Sequence, residues 1–228
     1  MTASRVVSLV PSVTETLLAW GVTPVACTRF CEQPDLPHVG GTKDPDVPAI
    51  VALAPDLVVL CVEENRREDA DALADAGIAT AALAIDSVAD VGPALAMLAG
   101  LVGVPTPPVE DVPPDPEPAL RAFVPIWKRP WMTLAGGTYG SSLLASVGVA
   151  NVFADARDRY PTVTLDEVKA REPDVVLAPS EPYPFADRHV PLFDGVAPVV
   201  LVDGQDLFWW GARTPAARDR LRAALGQP

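Results

Sequence analysis

Three kinds of side chain could carry chemistry here: hydroxyls, acids and aromatics, each lying just beyond a short apolar run. They are Pro11-Ser12, Arg29-Phe30-Cys31, Glu63-Glu64-Asn65, Gly136-Gly137-Thr138-Tyr139, Ser180-Glu181-Pro182-Tyr183, and Asp203 through Trp209 and Trp210. If those runs are parallel strands, these residues share the carboxyl edges of the sheets, where α/β folds bind ligands. No histidine is among them, and neither His38 nor His189 has a Ser or Cys partner at such an edge. Acyl transfer needs a base beside its nucleophile, so the pattern favours binding over catalysis. Trp209-Trp210 in a Gly-containing segment suits a large flat ligand, since rings add apolar contact at little rotamer cost.

Two weaker patterns stay open. Gly136 to Gly140 could be a phosphate-binding turn of an α/β enzyme, but it is not G-x-G-x-x-G and reads more simply as a tight turn. Cys27 and Cys31 form a C-x3-C pair; a tetrahedral zinc site needs two more ligands, so all three cysteines, Cys61 included, read as ordinary thiols and no metal site is expected.

The elements that would position these residues occur twice. Ala54-Pro55-Asp56-Leu57-Val58 returns 118 residues later as Glu172-Pro173-Asp174-Val175-Val176, and Gly77-Ile78 returns at the same interval as Gly195-Val196. Strands are expected at 6–10, 24–28, 57–62, 79–85, 131–135, 175–178 and 199–202. Helices are expected between them: from a capping box at Ser12-Val13-Thr14-Glu15 to Trp20, then 47–54, 66–76, 87–104, 141–147, 164–170 and 214–225. Alternation of this kind predicts an α/β fold with parallel sheets. Seven of the fourteen residues from Pro105 to Pro118 are proline, too stiff for helix or central strand. The expected organisation is an N-terminal lobe over 1–86, a connecting helix and Pro-rich linker over 87–118, and a C-terminal lobe over 119–228, with a ligand cleft between the lobes. Aromatics are uneven: of fourteen, only Trp20 and Phe30 precede Phe123.

With 30 acids against 17 bases the chain carries a net charge of −13. Nucleic acid and anionic membrane surfaces, which demand Lys and Arg, are poor partners. No apolar run reaches the length of a membrane span, and no secretory signal is visible before Arg5. The sequence as it stands therefore reads as cytoplasmic.

Arg5-Val6-Val7-Ser8-Leu9-Val10-Pro11-Ser12-Val13-Thr14-Glu15, Gly40-Gly41-Thr42-Lys43 and Leu53-Ala54-Pro55-Asp56-Leu57-Val58 resemble the helical-backbone metal-chelate receptors. These are the class III substrate-binding proteins of ABC importers, and the cobalamin-binding branch is nearest. Asn151-Val152-Phe153-Ala154-Asp155, Tyr160-Pro161 and Ser180 to Phe185 extend the resemblance through the second half. It implies two Rossmann-like lobes joined by a long helix. It also implies an extracytoplasmic monomer, no intrinsic cofactor, and a corrinoid, haem or ferric siderophore held between the lobes. By resemblance the ligand positions are Phe30 or Cys31, Glu63 to Asn65, Tyr160 and the Trp209 to Arg213 segment. Acids that dock to a permease would be Asp166 or Glu167 in the second lobe and, less regularly, Glu68 beside Arg67 in the first. A cytoplasmic corrinoid- or haem-handling protein without a permease is the alternative.

Overall fold

Val6–Ser8 (β1), two β-branched valines and a serine, is buried on both faces, as a central parallel strand requires. Pro11 begins helix α1 (Pro11–Ala19) rather than merely ending the strand. Its missing N–H is no loss in the first turn, so Val10 is the N-cap. The capping box expected at Ser12 to Glu15 is therefore absent, because the helix is already under way at Ser12. Ala26–Cys27 (β2), Val47–Ala52 (α2), Leu57–Cys61 (β3), Arg67–Asp75 (α3), Thr80–Leu83 (β4) and Val88–Val102 (α4) follow. The four strands form one parallel sheet ordered β2-β1-β3-β4.

The computed structural model describes residues 2–106 and 115–226. The stretch from 107 to 114 of the expected proline-rich linker lies outside them. The chain divides into two compact units. One holds the residues up to Ile85 and α4 from Ala89 on; the other holds Asp86–Val88 and the described residues from 115 on.

The second unit starts with a strand that the sequence pattern did not announce, Leu120–Phe123 (β5). Then come Pro125–Trp127 (β6), Trp131–Thr133 (β7), Tyr139–Ala145 (α5), Val149–Asn151 (β8), Thr162–Val163 (β9), Leu165–Ala170 (α6) and Val175–Pro179 (β10). A 3-10 helix (Asp187–Phe193), Val199–Val202 (β11), Gly204–Phe208 (α7) and Thr214–Ala224 (α8) complete it. Its parallel sheet runs β11-β10-β5-β8. That is the first unit's order read from the other edge, with β8, β5, β10 and β11 in the places of β2, β1, β3 and β4. The expected parallel strand at Trp131 is instead the middle of a separate antiparallel sheet, β6-β7-β9. Short apolar runs do not reveal strand direction, and this insertion displaced the reading by one element.

The 118-residue repeat is a repeat of structure. α2 and α6 each end in a residue of positive φ, Ala54 at 46° and Glu172 at 49°, followed by Pro-Asp. Asp56 N–H and Asp174 N–H donate to Arg5 O and Arg121 O, both at 2.8 Å. Their carboxylates accept from Arg5 N at 2.9 Å and Arg121 N at 2.8 Å. The two arginines then reach back to the preceding helix, Arg5 Nη2 to Leu53 O at 2.6 Å and Arg121 Nη2 to Arg171 O at 2.9 Å. The cores differ. The first is aliphatic, built on Val7, Leu9, Ile50, Val58, Leu60 and Leu73. The second is centred on Phe123, Phe153, Phe185 and Phe193.

Candidate ligand site on two strand-end rims

Because β1, β2 and β3 are parallel, their carboxyl ends lie on one edge of the first unit, and Asn65 laces that edge together. Its Oδ1 accepts from Cys61 N at 2.8 Å, and its Nδ2 donates to Leu9 O at 3.2 Å and Thr42 O at 2.9 Å. Lys43 Nζ donates to Glu63 O at 2.6 Å, fixing the Glu63-Glu64 turn. Arg29 pairs with Asp44 at 3.0 Å and covers Gly41, where a Cβ would lie 2.7 Å from the guanidinium. The same guanidinium sits 4.7 Å from the centroid of Phe30. Phe30 is nonetheless 49% exposed, and the end of β3, on the far side of β1, offers Val62, also exposed.

The second unit's edge is aromatic and cationic. Trp127, at the end of β6 and 44% exposed, stands edge-on to Tyr183 at 5.6 Å. Lys128 Nζ stands 5.7 Å from the Tyr183 ring. Tyr183 is held from behind by Phe185 at 4.7 Å and His189 at 5.4 Å. Burial lowers the His189 pKa, and Nδ1 accepts from Ala186 N at 3.1 Å. After β11, Asp203 caps α7 through Gln205 N, and Gly204 crosses Glu181 so closely that a Cβ would overlap its backbone. Buried Asp206 accepts from Arg213 at 3.1 Å and from both nitrogens of the Arg220 fork at 2.6 Å. Arg213 lies 5.1 Å from the Trp209 ring, so Trp209 and Arg213 form one platform. Tyr160, 39% exposed, stands in the segment leading into β9.

The expected site residues thus separate by what their side chains do. Phe30, Glu63, Glu64, Tyr160, Tyr183, Trp209 and Arg213 are all at least partly open. Four others are interior: Ser12 in α1, Cys31 at 2% exposure, Asn65, and Trp210 at 3%. Trp127, Lys128, Val62 and Lys43 belong to the rims and were not singled out. The Trp-Lys-Arg-Pro run at 127–130 was the available signal, an aromatic and two bases at a hairpin turn.

Packing accounts for Gly136 and Gly140. A Cβ at Gly136 would meet Ala154 O at 2.5 Å, and one at Gly140 would press on Leu134 and Phe208. Thr138 caps α5 through Ser141 N. Among the described residues no group of three or more His, Cys, Asp or Glu is placed to hold a metal ion.

The expected docking acids fall on different elements. Glu167 is half of a capping box: its carboxylate accepts from Thr164 N at 2.7 Å and Thr164 Oγ1 at 2.9 Å. Asp166 is exposed beside it. Glu68 is also exposed but lies on α3. The counterpart of α6 is α2, and the residue 118 positions before Asp166 is Pro48. The first unit therefore has no acid at the position equivalent to Asp166.

Residues 6–106 match the family described as periplasmic binding protein. The vitamin B12-binding protein of Salmonella choleraesuis is 27% identical over 202 residues, covering 77% of this chain and 72% of that protein. The chain is thus similar in sequence to vitamin B12-binding proteins and, over its first half, to the periplasmic binding protein family. The periplasmic vitamin B12 binding protein BtuF of Vibrio cholerae has the same fold, with a TM-score of 0.78 at 19% identity over 98% of this chain and 97% of that one. A periplasmic haem-binding protein from Pseudomonas aeruginosa matches with a TM-score of 0.79, 19% identity and coverage of 97% and 91%. These relatives are binding proteins. Among the described residues, no helix is long and apolar enough to cross a membrane.

Proposed function

We propose that this protein is the extracytoplasmic substrate-binding component of an ABC importer. In this reading it holds a corrinoid, cobalamin foremost, and it works as a monomer without an intrinsic cofactor. The observation that carries the reading is similarity to curated vitamin B12-binding proteins over 77% of the chain, together with the open rings of Phe30 and Trp127 on the two rims. A corrinoid suits these rims because it carries its own axial base and needs contact surface more than a protein ligand. Neither histidine is offered at a rim, since His38 bonds Gln33 O and His189 is buried. Haem is the second reading, favoured by Tyr160, an exposed phenol of a type that can ligate haem iron.

Titration calorimetry with cyanocobalamin and haemin tests both. Saturable cobalamin binding with a Kd below about 0.1 mM, a free energy near −5.5 kcal/mol, supports the proposal. Binding of haemin alone, with an absorbance change lost in Tyr160→Phe, transfers it to the second reading. Absence of both overturns it. Asp166 is the proposed permease contact: Asp166→Ala should lower chelate uptake in cells without changing chelate affinity. Cell fractionation tests location, and native protein confined to the cytosol would favour a handling role without a permease.

A further inference from the structure

The turn between β6 and β7 carries a side chain that the fold does not require. Arg129 has a φ of 69°. Glycine enters this left-handed region freely, whereas a residue with a Cβ is strained there. No contact of the side chain offsets the strain. Arg129 is exposed, and among the described residues nothing forms a hydrogen bond, an ion pair or a ring contact with its guanidinium. The turn is nonetheless firmly based. Thr133 Oγ1 donates to Val124 O at 2.7 Å across its foot, and Trp131 stacks on Phe185 at 6.2 Å and meets Phe193 at 5.2 Å. Left-handed residues held by such surroundings cluster at ligand clamps.

The residues beside Arg129 are a ring and a second cation. Trp127 is open and stands edge-on to Tyr183. Lys128 Nζ lies 5.7 Å from the Tyr183 ring, and among the described residues no carboxylate pairs with it. Asp187 and Arg188, both exposed in the 3-10 helix that follows Phe185, cancel in charge. After β11, Asp206 is shared by Arg213 and Arg220, so that trio keeps one positive charge. The strand-end edge of this unit therefore offers unneutralised cations in a chain of net charge −13, which elsewhere repels anions.

We propose that the tip formed by Trp127, Lys128 and Arg129 is a specificity element that selects ligands carrying an oxyanion. Trp127 lies against a flat ring system, while Arg129, with Lys128 beside it, pairs with a carboxylate or phosphodiester on the ligand's periphery. A guanidinium presents parallel donors that match either group. The inference rests on the chelate-binding reading given under Proposed function and adds to it the charge of the substituent that is recognised. It also accounts for an arginine where the backbone favours glycine.

Affinities are measured for cyanocobalamin, for its monocarboxylic acids, in which one propionamide is hydrolysed, and for dicyanocobinamide, which lacks the phosphodiester. Haemin against its dimethyl ester makes the same comparison for a haem ligand. The double variant Lys128→Gln/Arg129→Gly should weaken an oxyanion-bearing ligand about tenfold relative to its uncharged counterpart, and about 0.5 M NaCl should narrow the same gap in the wild type. A loss confined to the monocarboxylic acids or haemin assigns the carboxylate; a loss shared by cyanocobalamin assigns the phosphodiester. Arg129→Lys should keep most of the affinity. Arg129→Gly should raise the unfolding midpoint, because it relieves the left-handed residue. Equal losses for charged and uncharged ligands, no loss, or a lowered midpoint in Arg129→Gly overturns this inference and leaves the binding reading standing. Binding of none of these compounds overturns both.

Discussion

The two units share a sheet order, an anchoring Arg–Asp pair and a left-handed step before each Pro-Asp, yet they differ at the edges where their strands end. The first edge carries one half-open ring over a lattice of backbone ties from Asn65 and Lys43. The second carries an inserted antiparallel sheet, an exposed tryptophan and a set of arginines around Asp206. A duplicated scaffold kept what closes the backbone hydrogen bonds of the sheet and let the loops diverge, because loops bear little of the fold's packing. The divergence extends to α2 and α6, where Pro48 stands opposite Asp166.

The largest effect should come from the cores. Phe123→Ala removes the ring that touches both Phe153 and Phe193 and should cost about 4 kcal/mol in urea unfolding, against about 3 kcal/mol for Leu60→Ala in the aliphatic core. A reversed order would show that the aromatic core relaxes into the space more readily than its packing implies. At the rims, Trp127→Ala and Phe30→Ala should each weaken chelate binding about tenfold, near 1.4 kcal/mol, while leaving the unfolding midpoint in place. Trp210→Ala should instead lower the midpoint, since that ring is interior.

The caps compare the units at matched positions. Asp46 accepts from Ala49 N at 3.0 Å and Thr164 from Glu167 N at 3.2 Å. Replacing either cap by Ala should cost about 1 kcal/mol. The smallest difference is one of pH. Hydrogen bonds from Thr164 hold the Glu167 carboxyl below its usual 4.5, and the matched residue of α2 is Ala49. A depressed folded pKa stabilises above the unfolded value and is lost as pH falls through the folded one. Acid titration below pH 4.5 should therefore weaken α6 through this group, and Glu167→Gln should remove that share of the slope in a stability-versus-pH series.

Much of the scaffold was legible because local sequence dictates it. β11 and α2 begin where expected, at Val199 and Val47, and the Pro-Asp repeat set the interval between β3 and β10. β5 was not legible: Leu-Arg-Ala-Phe alternates too briefly to stand out beside the proline-rich stretch, and Trp131 was read in its place. The expected box at Ser12 failed for a similar reason. Pro11 satisfies the first turn without a side-chain cap, and nothing in the local pattern separates the two solutions.

For the candidate site, hydrophobic runs and turn residues marked most of the strand ends in the sequence, although the run before Gly136 proved to be an antiparallel strand. The sequence could not decide which of the residues there are open. Trp209 and Trp210 are adjacent and chemically identical, yet one shares its face with Arg213 and the other is interior. Exposure depends on what distant segments lay over a side chain. Tertiary packing alone buried Cys31 and left Trp127 open at the end of β6.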